Sequence, residues 1–232
     1  MVEATISGHE GHFLDHDVAL SSEAVPHEPA PIKVPAGDPV FDPAGTGNVH
    51  LEFDRSAWDP STGTSISNPR QQINVITSWI DGSMVYGSDE QRAAWLRTGA
   101  GGKLKTSYHK TGNLLPYNDG TQINGGGMST DLFVGGDVRV NEHAVLTTMY
   151  TIFLREHNRL AELIAAENPT WTDEQIYQKA RKIVGGEIQA ITYNEFLPAL
   201  LGDKAIPVYT GYIQILIRQY RIFSQSSHKS VI

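Results

Sequence analysis

A mainly α-helical fold interrupted by long irregular loops is predicted by three features of this chain. From about Glu142 to Ala166, the apolar residues Val145, Met149, Ile152, Phe153, Leu160, Leu163 and Ile164 recur at three- and four-residue spacing, and Pro169 closes the run. At Thr172 a Thr-x-x-Gln pattern ending at Gln175 has the form of a capping box. Ile176, Ala180, Ile183, Val184 and Ile188 supply the apolar stripe of the helix it opens. The third feature is the opposite of a helix: residues 21–70 hold eight of the 12 prolines, with much glycine, serine and asparagine. A loop of that length, running over the surface of a domain, is more often functional than idle.

The remaining elements follow in order. Residues 9–20 predict a short helix with Phe13, Leu14 and Val18 on its apolar face. From Gln71, the residues Ile73, Val75, Ile76, Trp79 and Ile80 predict a buried helix or turn leading to Met84-Val85-Tyr86-Gly87. Ser88 is the expected cap of a short helix through Leu96, with Asp89 and Glu90 in the first turn, where the helix dipole favours negative charge. Glycine-rich stretches at 99–102 and 125–127 bracket an irregular region. The last twenty residues, Ile213 to Ile232, depart from this pattern, with five isoleucines, three basic residues and no acid, glycine or proline.

A length of 232 residues suits one large domain or two small ones, and 40% hydrophobic content fits a globular protein. Eighteen basic against 26 acidic residues give a net charge of -8, which argues against a nucleic-acid or anionic-membrane partner. The absence of cysteine excludes disulfides and thiolate ligands to metal or haem and leaves the compartment open. Met1 to Gly8 lacks the basic and apolar regions of a signal peptide, and no apolar run approaches the length of a membrane span, so a soluble protein is expected.

The chemistry concentrates in a few residues. Asp15-His16-Asp17 sets a proton acceptor between two carboxylates, and Arg139-Val140-Asn141-Glu142 offers a fixed positive charge and a further carboxylate. Splitting a peroxide O–O bond needs a base to carry a proton between the two oxygens, and neutral imidazole does this near neutral pH. It also needs a permanent cation for the developing hydroxide, which arginine supplies. In Thr77-Ser78-Trp79-Ile80-Asp81-Gly82-Ser83, side-chain oxygens at 77, 81 and 83 and the carbonyl of 79 would, with Asp17, nearly fill a calcium shell. A competing metal reading pairs His12 and His16, four apart, with Glu10 or Asp15, but Phe13 stands where zinc enzymes of that spacing carry glutamate.

The run from Arg70 to Ser88, Arg-Gln-Gln-Ile-Asn-Val-Ile-Thr-Ser-Trp-Ile-Asp-Gly-Ser-Met-Val-Tyr-Gly-Ser, resembles the calcium-loop motif of the animal haem peroxidase superfamily, which includes myeloperoxidase, lactoperoxidase, peroxidasin and bacterial relatives. Leu154-Arg155-Glu156-His157-Asn158-Arg159-Leu160 and Thr192-Tyr193-Asn194-Glu195-Phe196-Leu197-Pro198 resemble its long-helix motif and the motif that follows. The likeness runs from about residue 9 to 212. It implies a haem-peroxidase-like helical domain, here incomplete, with 1–212 its distal part and 213–232 an anomalous tail.

Carried over, the resemblance makes His16 the distal histidine and Arg139 its catalytic partner, and Asp15 and Glu142 the ester links to haem methyl groups. Asp17, Thr77, Trp79, Asp81 and Ser83 become calcium ligands, and His157 a structural residue. Haem and Ca2+ are the implied cofactors; hydrogen peroxide and a small electron donor are the implied partners. Many relatives are secreted. His12 stands where halide-oxidising members carry glutamine, which puts halide use in doubt, and His143 where myeloperoxidase has the methionine of its sulfonium link. The missing cysteines favour a microbial-type relative.

The resemblance also implies a proximal histidine in a Gly-His context after Leu197-Pro198-Ala199-Leu200-Leu201-Gly202, yet the only histidine beyond Gly202 is His228, after Ser227. Codon degeneracy permits a shifted frame from the Tyr212 codon in which Ser230-Val231-Ile232 reads Ile-Gly-His, so a frameshifted tail on a truncated product is the expectation. Haem peroxidase is the leading function. The alternatives are a fatty-acid dioxygenase of the same superfamily, which needs a radical-forming tyrosine on the proximal side, and a haem-deficient calcium-binding remnant.

Overall fold

In the computed structural model, residues 2–202 and 204–207 are described, with side chains from Gly8 onward; the tail at 213–232 and His228 lie outside them. The described residues divide into two compact units, one made of residues 2–19 and 76–207 and the other of residues 20–75.

In the first unit, the amphipathic pattern at 142–166 becomes helix α4 (Ala144–Glu167) and the next becomes α5 (Asp173–Ile191). The Thr172 hydroxyl accepts from the Gln175 N–H, and the Gln175 side chain accepts from the Thr172 N–H, completing the expected capping box. α4 and α5 pack together with residues 168–172 between them, a connection short enough to turn the second helix back along the first. Ala161 and Ile164 meet Ile176 and Ala180 at one end.

The buried face of α4 is Leu146, Tyr150, Phe153, Leu154, His157, Ala161 and Ile164. Of the expected stripe, Val145, Ile152 and Leu163 are about half exposed instead. Apolar residues occupy more than one face of this helix, so periodicity alone leaves its rotation open by one position.

Helix α1 spans Val2–Val18, starting earlier than residue 9. Phe13 seats it: the ring is fully buried, stacks on Phe153 with centroids 5.2 Å apart, and meets Tyr150 edge-on at 5.1 Å. Leu14 and Val18 are only half-buried. The stretch 71–80 is not a helix, and Val75 and Trp79 are exposed, because its backbone polar groups turn to other partners before the short helix α2 (Ser83–Tyr86) begins.

Helix α3 (Glu90–Leu96) is capped by Asp89 rather than Ser88, since the Asp89 carboxylate reaches the Arg92 N–H. A single π-helical turn (Thr192–Phe196) and α6 (Leu197–Leu201) follow α5. No helix among the described residues is long and apolar enough to cross a membrane.

The second unit is irregular, as its proline content predicts. Its strands β1 (Ile32–Lys33) and β2 (His50–Leu51) pair antiparallel, Ile32 with Leu51 and Lys33 with His50. Isolated bridges Pro29–Asp54 and Glu23–Ser56 extend that pairing, and Trp58–Gln72 joins the second arm to the segment that follows. The buried Asp42 carboxylate ties the intervening turn, accepting from the Thr46 and Gly47 N–H groups at 2.9 and 2.8 Å.

Candidate active site

The C-terminal end of α1 carries two adjoining clusters, one of oxygens and one of titratable side chains. Asp17, fully buried, accepts on Oδ2 from the Gly82 N–H at 3.0 Å and on Oδ1 from the Ser83 hydroxyl at 2.8 Å. Thr77 Oγ1 has four oxygens around it: the Asp17 carbonyl at 3.3 Å, the Trp79 carbonyl at 3.5 Å, Asp81 Oδ1 at 3.3 Å and Ser83 Oγ at 3.4 Å. One hydroxyl proton cannot serve all four, so lone pairs crowd a common centre. Such an oxygen shell suits a hard cation held at about 2.3–2.6 Å from each ligand.

Burial pushes the Asp17 carboxyl up to about 6, with Asp81 adding to the rise and hydrogen bonds from Gly82 and Ser83 opposing it. A cation would remove that conflict by neutralising both carboxylates. The side chain of Trp79 is exposed; its part in the shell is its carbonyl alone.

One residue earlier, His16 meets a different set of partners. Its side chain is buried, its Nδ1 lies 2.8 Å from the Tyr150 hydroxyl and 3.8 Å from Asp137 Oδ1, and its Nε2 is buried with no hydrogen-bond partner. Burial lowers the His16 pKa to about 4, helped by Arg139 and opposed by Asp137, so the ring is neutral at neutral pH. A carboxylate near Nδ1 favours the tautomer with the proton there, which leaves a lone pair on Nε2.

Arg139 is held rather than loose. Its Nε and Nη2 donate to the two Asp137 oxygens at 2.8 and 2.9 Å, Nη2 also donates to the Ala19 carbonyl at 2.9 Å, and Nη1 donates to Asp15 Oδ2 at 3.2 Å. Four of five guanidinium hydrogens are committed, leaving one on Nη1. The frame beneath is rigid: buried Arg92 donates to the carbonyls of Gly135 and Ile123, both at 2.7 Å, and to Asn124 Oδ1 at 2.8 Å. Gly136 lies so close to α2 that a Cβ there would meet the Gly87 nitrogen and Met84 oxygen at 2.5 Å.

Glu142 completes the cluster, its Oε2 3.7 Å from His16 Nε2 and 2.9 Å from His12 Nε2. His143 caps α4 by accepting from the Leu146 N–H on Nδ1 at 3.1 Å, which places its own proton on Nε2. That nitrogen is 3.1 Å from His12 Nδ1, so His12 in turn directs its Nε2–H at Glu142. His12 thus pairs with Glu142, not with Glu10 or Asp15. Asp15 is half exposed beside Arg139.

All the residues expected at the site therefore gather at one end of α1. Asp137 and Tyr150 were not anticipated. Asp137 sits two residues before Arg139 in a Gly-Gly-Asp turn, and Tyr150 is a helical neighbour of the buried Phe153 and Leu154; neither position advertises a polar task. His157 lies away from the cluster, buried, with Nδ1 accepting from the Tyr86 hydroxyl at 2.9 Å and Nε2 donating to the Gly102 carbonyl at 2.8 Å. Burial lowers its pKa to about 4.

The helical frame thus sets a neutral, buried histidine and a clamped arginine side by side at the end of α1. The sequence model for the animal haem peroxidase family matches residues 7–231, and the chain belongs to that family. Human dual oxidase 2 is 38% identical over 207 residues, covering 87% of this chain and 13% of its own length. Peroxinectin A of Dictyostelium discoideum is 37% identical over 219 residues, covering 87% of this chain and 39% of its own.

Among solved structures, peroxidase A of the same organism superposes with a TM-score of 0.80 at 35% identity, over 89% of this chain and 42% of that one. The fatty acid alpha-dioxygenase of Oryza sativa superposes with a TM-score of 0.66 at 26% identity, over 85% and 29%. This chain thus spans less than half the length of each of these relatives.

Proposed function

We propose that this chain carries the distal half of a haem peroxidase site. The observation that supports this best is His16 Nε2: a buried ring nitrogen without a partner, on a neutral imidazole whose other nitrogen is held by Tyr150 and faces Asp137. Haem, when bound, supplies the iron at which peroxide is cleaved and the oxidising equivalents that a small donor consumes.

The chain's own residues do the rest. His16 Nε2 accepts the proton of the nearer peroxide oxygen and returns it to the departing one. The uncommitted Nη1 hydrogen of Arg139 would be the donor for the developing negative charge, while Asp137 holds the guanidinium in place. Asp15 and Glu142 are the carboxylates that would hold haem through its methyl groups. Asp17, Thr77, Trp79, Asp81 and Ser83 would hold Ca2+ and lock the end of α1 against α2, which fixes the direction of His16 one residue away. The higher TM-score and identity of peroxidase A over the dioxygenase favour peroxidase chemistry.

The test is reconstitution of the full chain with haem in calcium-containing buffer, read by the Soret band and by peroxide-dependent oxidation of a simple phenol. Turnover that falls by about 10²-fold or more in His16→Gln supports the assignment, the range expected for loss of a proton-transfer group. A Soret band without turnover favours the inactive remnant. Without a Soret band, the chain is no enzyme by itself, and its family membership stands.

A further inference from the structure

We infer that His12, His16 and Glu142 form a binding site for a divalent transition-metal ion of the zinc type, separate from the all-oxygen shell at Asp17. One ligand atom from each of the three lies within 4.8 Å of the others. Glu142 Oε2 is 2.9 Å from His12 Nε2 and 3.7 Å from His16 Nε2. Ligands on a tetrahedral zinc ion, with bonds of about 2.0–2.1 Å, stand roughly 3.3 Å apart, so the two separations from Glu142 are within about 0.4 Å of a closed site.

An independent observation points into the same space. His16 Nε2 is buried and unpartnered, and its ring, with the side chain fully buried, is aimed at Glu142. His16 already has an outer partner of the kind that orients a metal ligand, the Tyr150 hydroxyl on Nδ1, and His143 Nε2, 3.1 Å from His12 Nδ1, becomes such a partner for His12 once the proton between them changes owner. His12 and His16 share one face of α1, while Glu142 comes from the segment before α4, so two elements converge on the ion. The side chains of His12 and Glu142 are 37% and 41% exposed, which leaves an entry path and a fourth position for water. Two imidazoles and one carboxylate select zinc-like ions, whereas the oxygen shell selects calcium.

Coordination through His12 Nε2 displaces its proton and reverses the hydrogen bonds behind it. His12 Nδ1 then carries a proton toward His143, and His143 Nδ1 no longer accepts from the Leu146 N–H. The ion also occupies the His16 nitrogen and the Glu142 carboxylate, so zinc and the peroxidase roles of those atoms exclude each other. The metal site rests on this geometry alone and not on the peroxidase reading.

The experiment is a calorimetric titration of the full, haem-free chain with ZnCl2 in calcium-containing buffer, repeated with CoCl2 and read by visible absorption. Variants His12→Gln and Glu142→Gln change half-exposed residues, and a melting curve of each in zinc-free buffer verifies folding. His27→Gln is the control, because Glu23, His27 and Asp54 form another group of possible ligands in the second unit. Saturable zinc uptake that weakens at least about tenfold in both site variants but not in His27→Gln is expected, with the absorption of tetrahedral cobalt lost in both. No saturable uptake, or uptake that survives either site substitution, overturns the proposal. Zinc uptake in a chain that shows no Soret band with haem leaves this site standing while the peroxidase reading falls.

Discussion

Acidification should cost this protein stability through His157, and the size of the effect follows from its surroundings. The ring is fully buried, and both nitrogens are satisfied only in the neutral form, with Nε2–H to Gly102 and Nδ1 accepting from Tyr86. Protonation would put a second donor against the Tyr86 hydroxyl and a charge into the core. Burial accordingly lowers its pKa from 6.5 to about 4, with Arg97 and Arg181 contributing to the drop and the bond to Gly102 opposing it.

Between those two values the unfolded chain binds the proton and the folded chain does not, so stability falls as pH falls through that window. The loss attributable to this ring is about 2 kcal/mol between pH 7 and pH 5 and approaches about 3 kcal/mol below pH 4. Urea unfolding of the parent and of His157→Gln at several pH values isolates it, because His16 and the carboxylates titrate in both proteins. The parent should be the more stable at neutral pH, with its advantage shrinking by about 2 kcal/mol near pH 5. Parallel pH profiles for the two proteins would refute the assignment.

Two further outcomes test the frame around the site. Gly136→Ala should destabilise by about 3 kcal/mol or more, because its new methyl would press on the Ser83, Met84 and Gly87 backbone, none of which can rotate away; a change below about 0.5 kcal/mol in urea unfolding would contradict the close approach. Asp81→Ala should lower the melting temperature in calcium-containing buffer and abolish the rise that calcium gives the parent. Equal melting temperatures of the parent with and without calcium would count against the oxygen shell.

Legibility differed sharply between elements. α4, α5 and the Thr172 capping box were readable because each depends on residues three or four apart, and a turn of helix samples only that distance. The rotation of α4 was not readable. Tyr150, Leu154 and Ala161 are buried where Val145, Ile152 and Leu163 looked equally suited, and only the partners at Phe13, Tyr177 and Val184 choose between those faces. The stretch 71–80 misled for a related reason: its apolar residues suggest burial, while Thr77 Oγ1 turns to the Asp17 carbonyl and Asn74 Oδ1 accepts from the Leu20 N–H.

The chemical types at the site were legible in the sequence itself: a histidine between carboxylates, an arginine with a glutamate three residues on, and oxygen donors at alternate positions from 77 to 83. These are local patterns, and local patterns survive in one dimension. Tertiary structure alone decided that Asp137 clamps Arg139, that Tyr150 holds His16, and that His143 and His12 lead from a helix cap to Glu142. Those contacts join residues up to 134 positions apart, and a hydrogen bond needs its partners within about 3 Å in a set direction. The packing of α1 on α4 through Phe13 supplies that proximity, which no spacing along the chain encodes.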